Sequence, residues 1–288
     1  MEQQSLTKNE VTTACVAETE WTADTTETYE LPTLVYRDKP LVLITGANGK
    51  LGSEVSKLYP DALRPSHQEL PVEDRKKVFE YIRNTLPEII IHLAAKVSPV
   101  KCEENKEQSW KVTVEGTLNL IEACRKYNPK VYFVLMSTPC VFDGNDATPK
   151  DEYHYYDASN YYGWCKAMQE MVVRASGLKW LIIRGNFIPY KKYPYEKAFV
   201  DRKSNYLFAH QLARGIKEVI DANMTGIVHV LGNKIISMYE LAKRTPDSKN
   251  VKKTTLEEYY KENPNSCKLT KNMIMKSTRF KEYDIDES

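Results

Sequence analysis

A chain of 288 residues, 42% hydrophobic and 28% charged, can bury one sizeable core, or a core with a smaller lobe beside it. No apolar run approaches the about 20 residues that cross a bilayer, and the polar N-terminus lacks the apolar stretch of a secretory signal, so a cytoplasmic location is expected. Cys15, Cys102, Cys124, Cys140, Cys165 and Cys267 include no C-x-x-C pair, which fits free thiols rather than a disulfide framework. The net charge of +2 is uneven: residues 1–35 carry seven acids against Lys8 alone, leaving a basic body suited to anionic ligands.

Residues 1–38 are rich in Thr, Glu and Ala without periodicity and read as an acidic N-terminal extension. Within it, 29–36 could add a strand and Trp21 could dock. Strands and helices then alternate, as in a parallel sheet covered on both faces. Leu41–Thr45 is a strand and Leu51–Leu58 opens a helix; Asp61–Arg64 is a strand stub. A helix over Glu73–Asn84 precedes a buried strand over Pro87–Leu93. Apolar residues at helical spacing predict a helix over Trp110–Tyr127, followed by strand Val131–Met136, helix Tyr161–Ala175 and strand Trp180–Arg184. A helix over His210–Ala222 and a strand over Gly226–Leu231 return to the sheet. The expected fold is therefore α/β: a doubly wound parallel (Rossmann) sheet from 39–185 plus 206–232, with 186–205 plus 233–288 forming a smaller substrate-binding lobe.

Two local patterns carry chemistry. After the first strand comes Thr45-Gly46-Ala47-Asn48-Gly49-Lys50-Leu51-Gly52, with three glycines spaced three apart. Such a turn lets backbone N–H groups approach a pyrophosphate where a side chain would stand in the way. Further on, Tyr162 and Lys166 are four apart and share one face of the predicted helix. An ammonium near a phenol favours the phenolate and so makes a usable proton donor and acceptor.

In this order and separation the two patterns resemble the extended short-chain dehydrogenase/reductase family over about residues 39–288. Within it the likeness is greatest to the dTDP-4-dehydrorhamnose reductases, carried by residues 45–52, His92-Leu93-Ala94-Ala95-Lys96-Val97, Met136-Ser137-Thr138-Pro139-Cys140-Val141-Phe142-Asp143-Gly144, Asn160–Lys166 and the late Ser277–Lys281. The resemblance implies a reductase acting on the C4 ketone of a nucleotide-linked 4-keto-6-deoxyhexose in deoxysugar biosynthesis. It places Gly46, Asn48, Gly49, Leu51 and Gly52 at the cofactor pyrophosphate, with Ala94, Ala95 and Lys96 in the loop that brushes the cofactor. Thr138 would hydrogen-bond the ketone, with Ser137 as the fallback. Tyr162 would protonate the oxygen, and Lys166 would hold the nicotinamide ribose and depress the Tyr162 pKa. A homodimer through the helices at 110–127 and 161–175 is implied as well.

An acid at the end of the second strand would favour NAD. Here the stub ends in Arg64, which could pair with a 2′-phosphate, so NADP (NADPH) is expected over NAD. Cys140 stands where rhamnose reductases have Tyr and where nucleotide-sugar 3,5-epimerase/4-reductases of the GDP-fucose synthase type have an acid/base Cys. Epimerisation at C3 or C5 is thus a second expectation, with a buried packing thiol as the alternative. Its opposite-face partner would come from Lys191, Lys192, Lys197 or His210.

Pro139, Pro71 and Thr113 depart from the resembled pattern, where an Asp, an Asp and an Asn are usual. His92 reads as a hydrogen-bonded core residue, and His67, His154 and His229 have no partners at metal-ligand spacing, so no metal is expected. The lysine-rich stretch 249–261 reads as a solvated face, so neither nucleic acid nor membrane is an expected partner. Two other readings stay open: a non-catalytic subunit resembling the methionine adenosyltransferase β subunit, to which the acidic arm could contribute, and a related sugar-nucleotide epimerase or dehydratase.

Overall fold

The computed structural model describes residues 39–287; the acidic arm, with Cys15, Trp21 and the strand expected over 29–36, lies outside the described residues. In chain order come β1 (Val42–Thr45), α1 (Gly52–Leu58), α2 (Arg75–Thr85), β2 (Ile89–His92), α3 (Pro99–Glu104) and α4 (Lys106–Trp110). A π-helical turn over Lys111–Glu115 leads into α5 (Gly116–Tyr127), followed by β3 (Tyr132–Ser137), a 3₁₀ turn over Pro139–Val141, α6 (Tyr161–Arg174) and β4 (Lys179–Arg184). Then follow β5 (Phe187–Ile188), β6 (Lys197–Phe199), β7 (Lys203–Ser204), β8 (Leu207–Phe208), α7 (Ala209–Asp221) and β9 (Gly226–His229). The chain closes with β10 (Leu231–Gly232), β11 (Ile236–Ser237), α8 (Met238–Lys243), β12 (Lys252–Thr254), α9 (Leu256–Glu262), β13 (Asn272–Met273) and β14 (Glu282–Tyr283).

The central sheet runs β1-β2-β3-β4-β9 and is parallel throughout. Leu63 adds a parallel bridge to Leu43 on the free side of β1, which is the expected stub. Alternation along each strand sends side chains to opposite faces. Val42, Ile44, Val134, Leu181 and Ile183 meet Val55 of α1 and Leu212, Ile216 and Val219 of α7. Leu43, Ile90, Phe133, Leu135 and Ile182 meet Val78 and Ile82 of α2, Leu120 and Ile121 of α5 and Val173 of α6. Both faces are covered, so β3 is buried along its whole length and is apolar up to Ser137.

Short strands from 187–208 pair with strands beyond residue 230: β6 with β12, and β7 with β11 and β13. Met273 is thereby carried beside the 3₁₀ turn that follows β3. Helix α6 starts on an N-cap, Asn160, whose side chain accepts from Gly163 N. Its far half is tied to β4 by Glu170, which takes two hydrogen bonds from Arg184 at 2.9 and 2.7 Å; both side chains are fully buried.

The helix expected over 110–127 is interrupted at its start. Lys111–Glu115 is wound as a π turn, and its Thr113 hydroxyl accepts from Lys96 N at 3.2 Å. Side-chain spacing cannot reveal such a bulge, because the extra residue per turn leaves the apolar face of α5 intact. No helix among the described residues is long and apolar enough to cross a membrane.

Candidate active site

The three glycines divide the work of the turn. Gly46 has φ +70, and a Cβ there would lie 2.9 Å from Ala94 N, so this position needs both the left-handed conformation and the missing side chain. A Cβ at Gly52 would fall 2.1 Å from the Gly46 carbonyl, so the third glycine lets α1 close onto β1. Gly49 is different: its Cβ would meet the Gly46 oxygen at 3.1 Å and otherwise open space. That open side, beside exposed Asn48, fits a pyrophosphate lying against backbone. Leu51 points the other way, 5% exposed in the core, so only its backbone can serve this surface. Ala94 and Ala95 are half-buried at the end of β2, and Lys96 is exposed beyond them.

Arg64 lies at the tip of the strand stub, exposed, with Nη2 donating to the Pro60 carbonyl at 3.0 Å. One guanidinium edge is thus used to shape the loop.

β3 ends in two hydroxyls with different fates. Ser137 Oγ donates to Glu170 Oε1 inside the buried ion pair and is thereby withdrawn from the site. Thr138 caps the 3₁₀ turn, accepting from Cys140 N at 3.2 Å. A capping hydroxyl accepts through a lone pair, so its own proton can still be donated, and here the Tyr162 phenol oxygen is within its reach. The expected fallback is therefore unsuitable, and Thr138 is both a cap and an available donor.

Tyr162 is the second residue of α6, partly buried against the same cluster as Cys140. Burial pushes its phenol pKa up, the neighbouring Cys140 adds to this, and the Thr138 hydroxyl pulls it back down. Lys166 is 4% exposed; burial lowers its pKa to about 8, against the opposing effect of Glu170. Its ammonium donates to the Met136 carbonyl at 2.7 Å and to Gln169 Oε1. The expectation that Lys166 lowers the phenol pKa needs revision for this arrangement. The ammonium is turned toward β3 and Gln169, and Thr138 is the group that lowers the phenol pKa.

Cys140 is buried, with Sγ 3.8 Å from Met273 Sδ. Its turn sits directly on α6, where a Cβ at Gly163 would lie 2.2 Å from the Cys140 carbonyl. Tyr206 is also near enough for Cys140 to raise its pKa, is fully buried, and has a hydroxyl without a hydrogen-bond partner. Met273 Sδ also receives Asn186 Nδ2 at 3.4 Å and Arg202 Nη2 at 3.8 Å.

None of the four residues expected opposite Cys140 is in this group. Lys197 is exposed and paired with Glu262 at 2.6 Å. His210 is stacked on Phe208 and influenced by Glu54 and Lys57 of α1. Lys191 and Lys192 sit on an exposed loop. Tyr206, Met273 and Arg202 escape a reading of the sequence because no motif marks them; strand pairing between distant segments brings them in.

His92 is a core residue, with Nδ1 at 2.7 Å from Thr45 Oγ1 and Nε2 at 2.9 Å from Thr117 Oγ1. Among the described residues no group of three or more His, Cys, Asp or Glu could hold a metal ion.

A profile of the RmlD substrate binding domain matches residues 40–211, well over half of the chain. The chain belongs to this family. The dTDP-4-dehydrorhamnose reductase of Aggregatibacter actinomycetemcomitans is 32% identical over 148 residues, which is 50% of this chain and 50% of that protein. The match thus spans about half of that relative's length. Among solved structures, the dTDP-4-dehydrorhamnose reductase of Bacillus anthracis in complex with NADP superposes with a TM-score of 0.74 at 22% identity, covering 83% of this chain and 91% of the other. The WbmH enzyme of Bordetella bronchiseptica in complex with NAD+ gives 0.66 at 18%, covering 83% and 90%. At these identities the two structures establish the fold: the doubly wound sheet is that of the RmlD family. The family match ends at residue 211, just inside α7, so β1 to β4 and their glycine turn and Tyr162–Lys166 pair all lie within it.

Proposed function

We propose that this chain is an NAD(P)H-dependent reductase of the C4 ketone in a nucleotide-linked 4-keto-6-deoxyhexose. The observation that carries the reading is the convergence of Thr138, Tyr162 and Lys166 at the end of β3, with the Thr138 hydroxyl directed at the Tyr162 phenol and Ser137 withdrawn. Gly46, Asn48, Gly49, Gly52 and the backbone of Leu51 would hold the dinucleotide, whose reduced nicotinamide supplies hydride. Ala94, Ala95 and Lys96 would flank it.

The chain's own part is acid catalysis. Thr138 donates to the ketone oxygen and stabilises the charge that develops there. Tyr162, kept protonated by its buried setting, delivers a proton to the same oxygen as it becomes an alkoxide. Lys166 has three donors, two of them engaged by Met136 and Gln169. The third is available to a cofactor ribose.

Arg64 favours NADPH in this reading, because no acid stands at the tip of the strand stub and a guanidinium can pair with a 2′-phosphate. The exposed Leu118 of α5 and Trp164 and Met171 of α6 favour a homodimer through these helices.

A second activity, epimerisation at C3 or C5 before reduction, is favoured by one observation. The Cys140 thiol is near enough to raise the pKa of both Tyr162 and Tyr206, and the Tyr206 hydroxyl has no hydrogen-bond partner. A C4 ketone acidifies the neighbouring ring protons, and a thiol can exchange them.

The test is consumption of NADPH with dTDP-, UDP- and GDP-linked 4-keto-6-deoxyhexoses, run in D2O with wild type and Cys140→Ala. The reading expects turnover with one of these substrates. Ring deuterium at C3 or C5 that disappears in the variant supports epimerisation; turnover without it leaves reduction alone. Absence of turnover with all three would count against the reductase reading.

A further inference from the structure

A lysine that is 4% exposed needs acceptors for the protons it does not donate to a ligand. The backbone carbonyl of Met136 is one, and the other is the side-chain oxygen of Gln169, one turn further along α6. Gln169 is itself fully buried, and an amide can be turned over so that its NH2 group, rather than its oxygen, faces the ammonium. That orientation would repel Lys166.

The hydrogen bonds around Gln169 determine which way it faces. Its Nε2 donates to Thr117 Oγ1 at 2.7 Å, and the single Thr117 proton goes to the Thr113 carbonyl at 2.7 Å. Having no proton left, Thr117 Oγ1 can only accept from His92 Nε2 at 2.9 Å, so His92 carries its proton on Nε2. His92 Nδ1 then accepts from Thr45 Oγ1 at 2.7 Å, which in turn accepts from Ala94 N at 3.3 Å. From Thr45 to Gln169, the donor and the acceptor of each contact are thereby fixed. This buried chain runs from the end of β1, which precedes the glycine turn, through the end of β2 to Lys166. Reversing the amide would set an NH2 against the ammonium and leave Thr117 facing a carbonyl with no proton to offer it.

We propose that Gln169 is a positioning residue that presents the Lys166 ammonium to the cofactor, and that Thr117 and His92 lock its amide in the presenting orientation. This rests on the reductase reading for what Lys166 does, but not for how it is held. Glu170 and Cys165 on α6 and His92 on β2 are the titratable groups that act on Lys166 or feel its charge.

The test follows Lys166 itself. Full-length protein carrying ¹³Cε-lysine is titrated by NMR, with the Lys166 signal assigned by its loss in Lys166→Arg. The wild-type midpoint is expected near 8. Gln169→Glu should raise it by about one unit or more, and Gln169→Leu should lower it, because an acceptor favours the charged form. Thr117→Val, which frees the amide to turn, should lower it in the same sense. In activity, Gln169→Leu should lower kcat/KM by about tenfold or more and shift the alkaline limb of its pH profile with the NMR midpoint. Unchanged Lys166 midpoints in both Gln169→Leu and Gln169→Glu would overturn the proposal, whatever happens to thermal stability. If Gln169→Leu fails to fold, Gln169→Glu and Thr117→Val decide on the same signal. Wild type that binds no nicotinamide cofactor would sink the reductase reading, while the titration would still decide the role of Gln169.

Discussion

Ser137 and Thr138 are consecutive hydroxyls at the end of β3, yet Ser137 donates into the buried Glu170 carboxylate while Thr138 faces Cys140 and Tyr162. Strand alternation explains the split, since neighbouring side chains leave a strand on opposite faces. Thr138→Val should therefore lower kcat by roughly 10²–10³-fold with little change in cofactor affinity, the scale of losing one donor to a developing oxyanion. Ser137→Ala should retain the chemistry and lose about 1–3 kcal/mol of stability from an under-satisfied buried group. Steady-state kinetics beside urea unfolding of both variants separates the two roles. Equal kinetic losses in both would contradict the assignment.

The glycines offer a second contrast. Gly52→Ala drives a Cβ to 2.1 Å from a backbone oxygen and should lower the melting temperature by several degrees or prevent folding. Gly49→Ala meets only one atom, at 3.1 Å, and otherwise open space, so its folding cost is small. It should instead weaken dinucleotide binding, measured by quenching of tryptophan fluorescence. A Gly49→Ala protein that binds the cofactor as wild type does would remove the open face of the turn as a binding surface.

The Glu170–Arg184 pair is fully buried, with Ser137 and Tyr156 also donating to the carboxylate and His229 3.4 Å from the guanidinium. Glu170→Gln leaves a buried guanidinium without its counter-charge and should cost about 3–5 kcal/mol. The double variant Glu170→Leu with Arg184→Met removes both charges and should recover most of that loss. Chemical denaturation tests both. A Glu170→Gln protein as stable as wild type would show that the pair contributes nothing.

Acid stability follows from two histidines that fold neutral. Burial lowers His92 to about 3 and His229 to about 4, against an ordinary value near 6.5. Each binds its proton more readily when unfolded, so its contribution is intact above pH 6.5 and lost as pH falls toward the folded value. By pH 5 the loss is about 2 kcal/mol from each. Urea unfolding at pH 7 and pH 5 should show this loss, and His229→Gln should reduce it by about half. A pH-independent unfolding free energy over that interval would contradict the buried neutral assignment.

Much of this arrangement is legible in the sequence itself. The glycine turn, the Tyr162–Lys166 pair and the alternating strands and helices are each written in local spacing, and their order and separation along the chain give them meaning together. Leu51 illustrates the limit: it belongs to the turn, but its side chain faces the core, and no motif separates backbone service from side-chain service. Gln169 and Thr117 are hidden for another reason. They act through hydrogen bonds between α5, α6 and β2, and a buried Gln or Thr has no signature beyond a polar residue on an apolar face. Met273 comes from β13, far along the chain, which pairs with β7 two residues before Tyr206, so the group around Cys140 is assembled from distant segments. Lys197 lies in the stretch expected to face Cys140, but it belongs to a surface ion pair beside the β6–β12 ladder.

The proposed reaction is hydride delivery to C4 of a nucleotide-linked 4-keto sugar. The most direct measurement uses NADPH deuterated at the transferring carbon, with the sugar nucleotide that supports turnover, and locates the label in the product by NMR. Deuterium at C4, lost together with turnover in Tyr162→Phe, is the result the account expects. Consumed NADPH with no deuterium at C4, or full transfer in Tyr162→Phe, would contradict it.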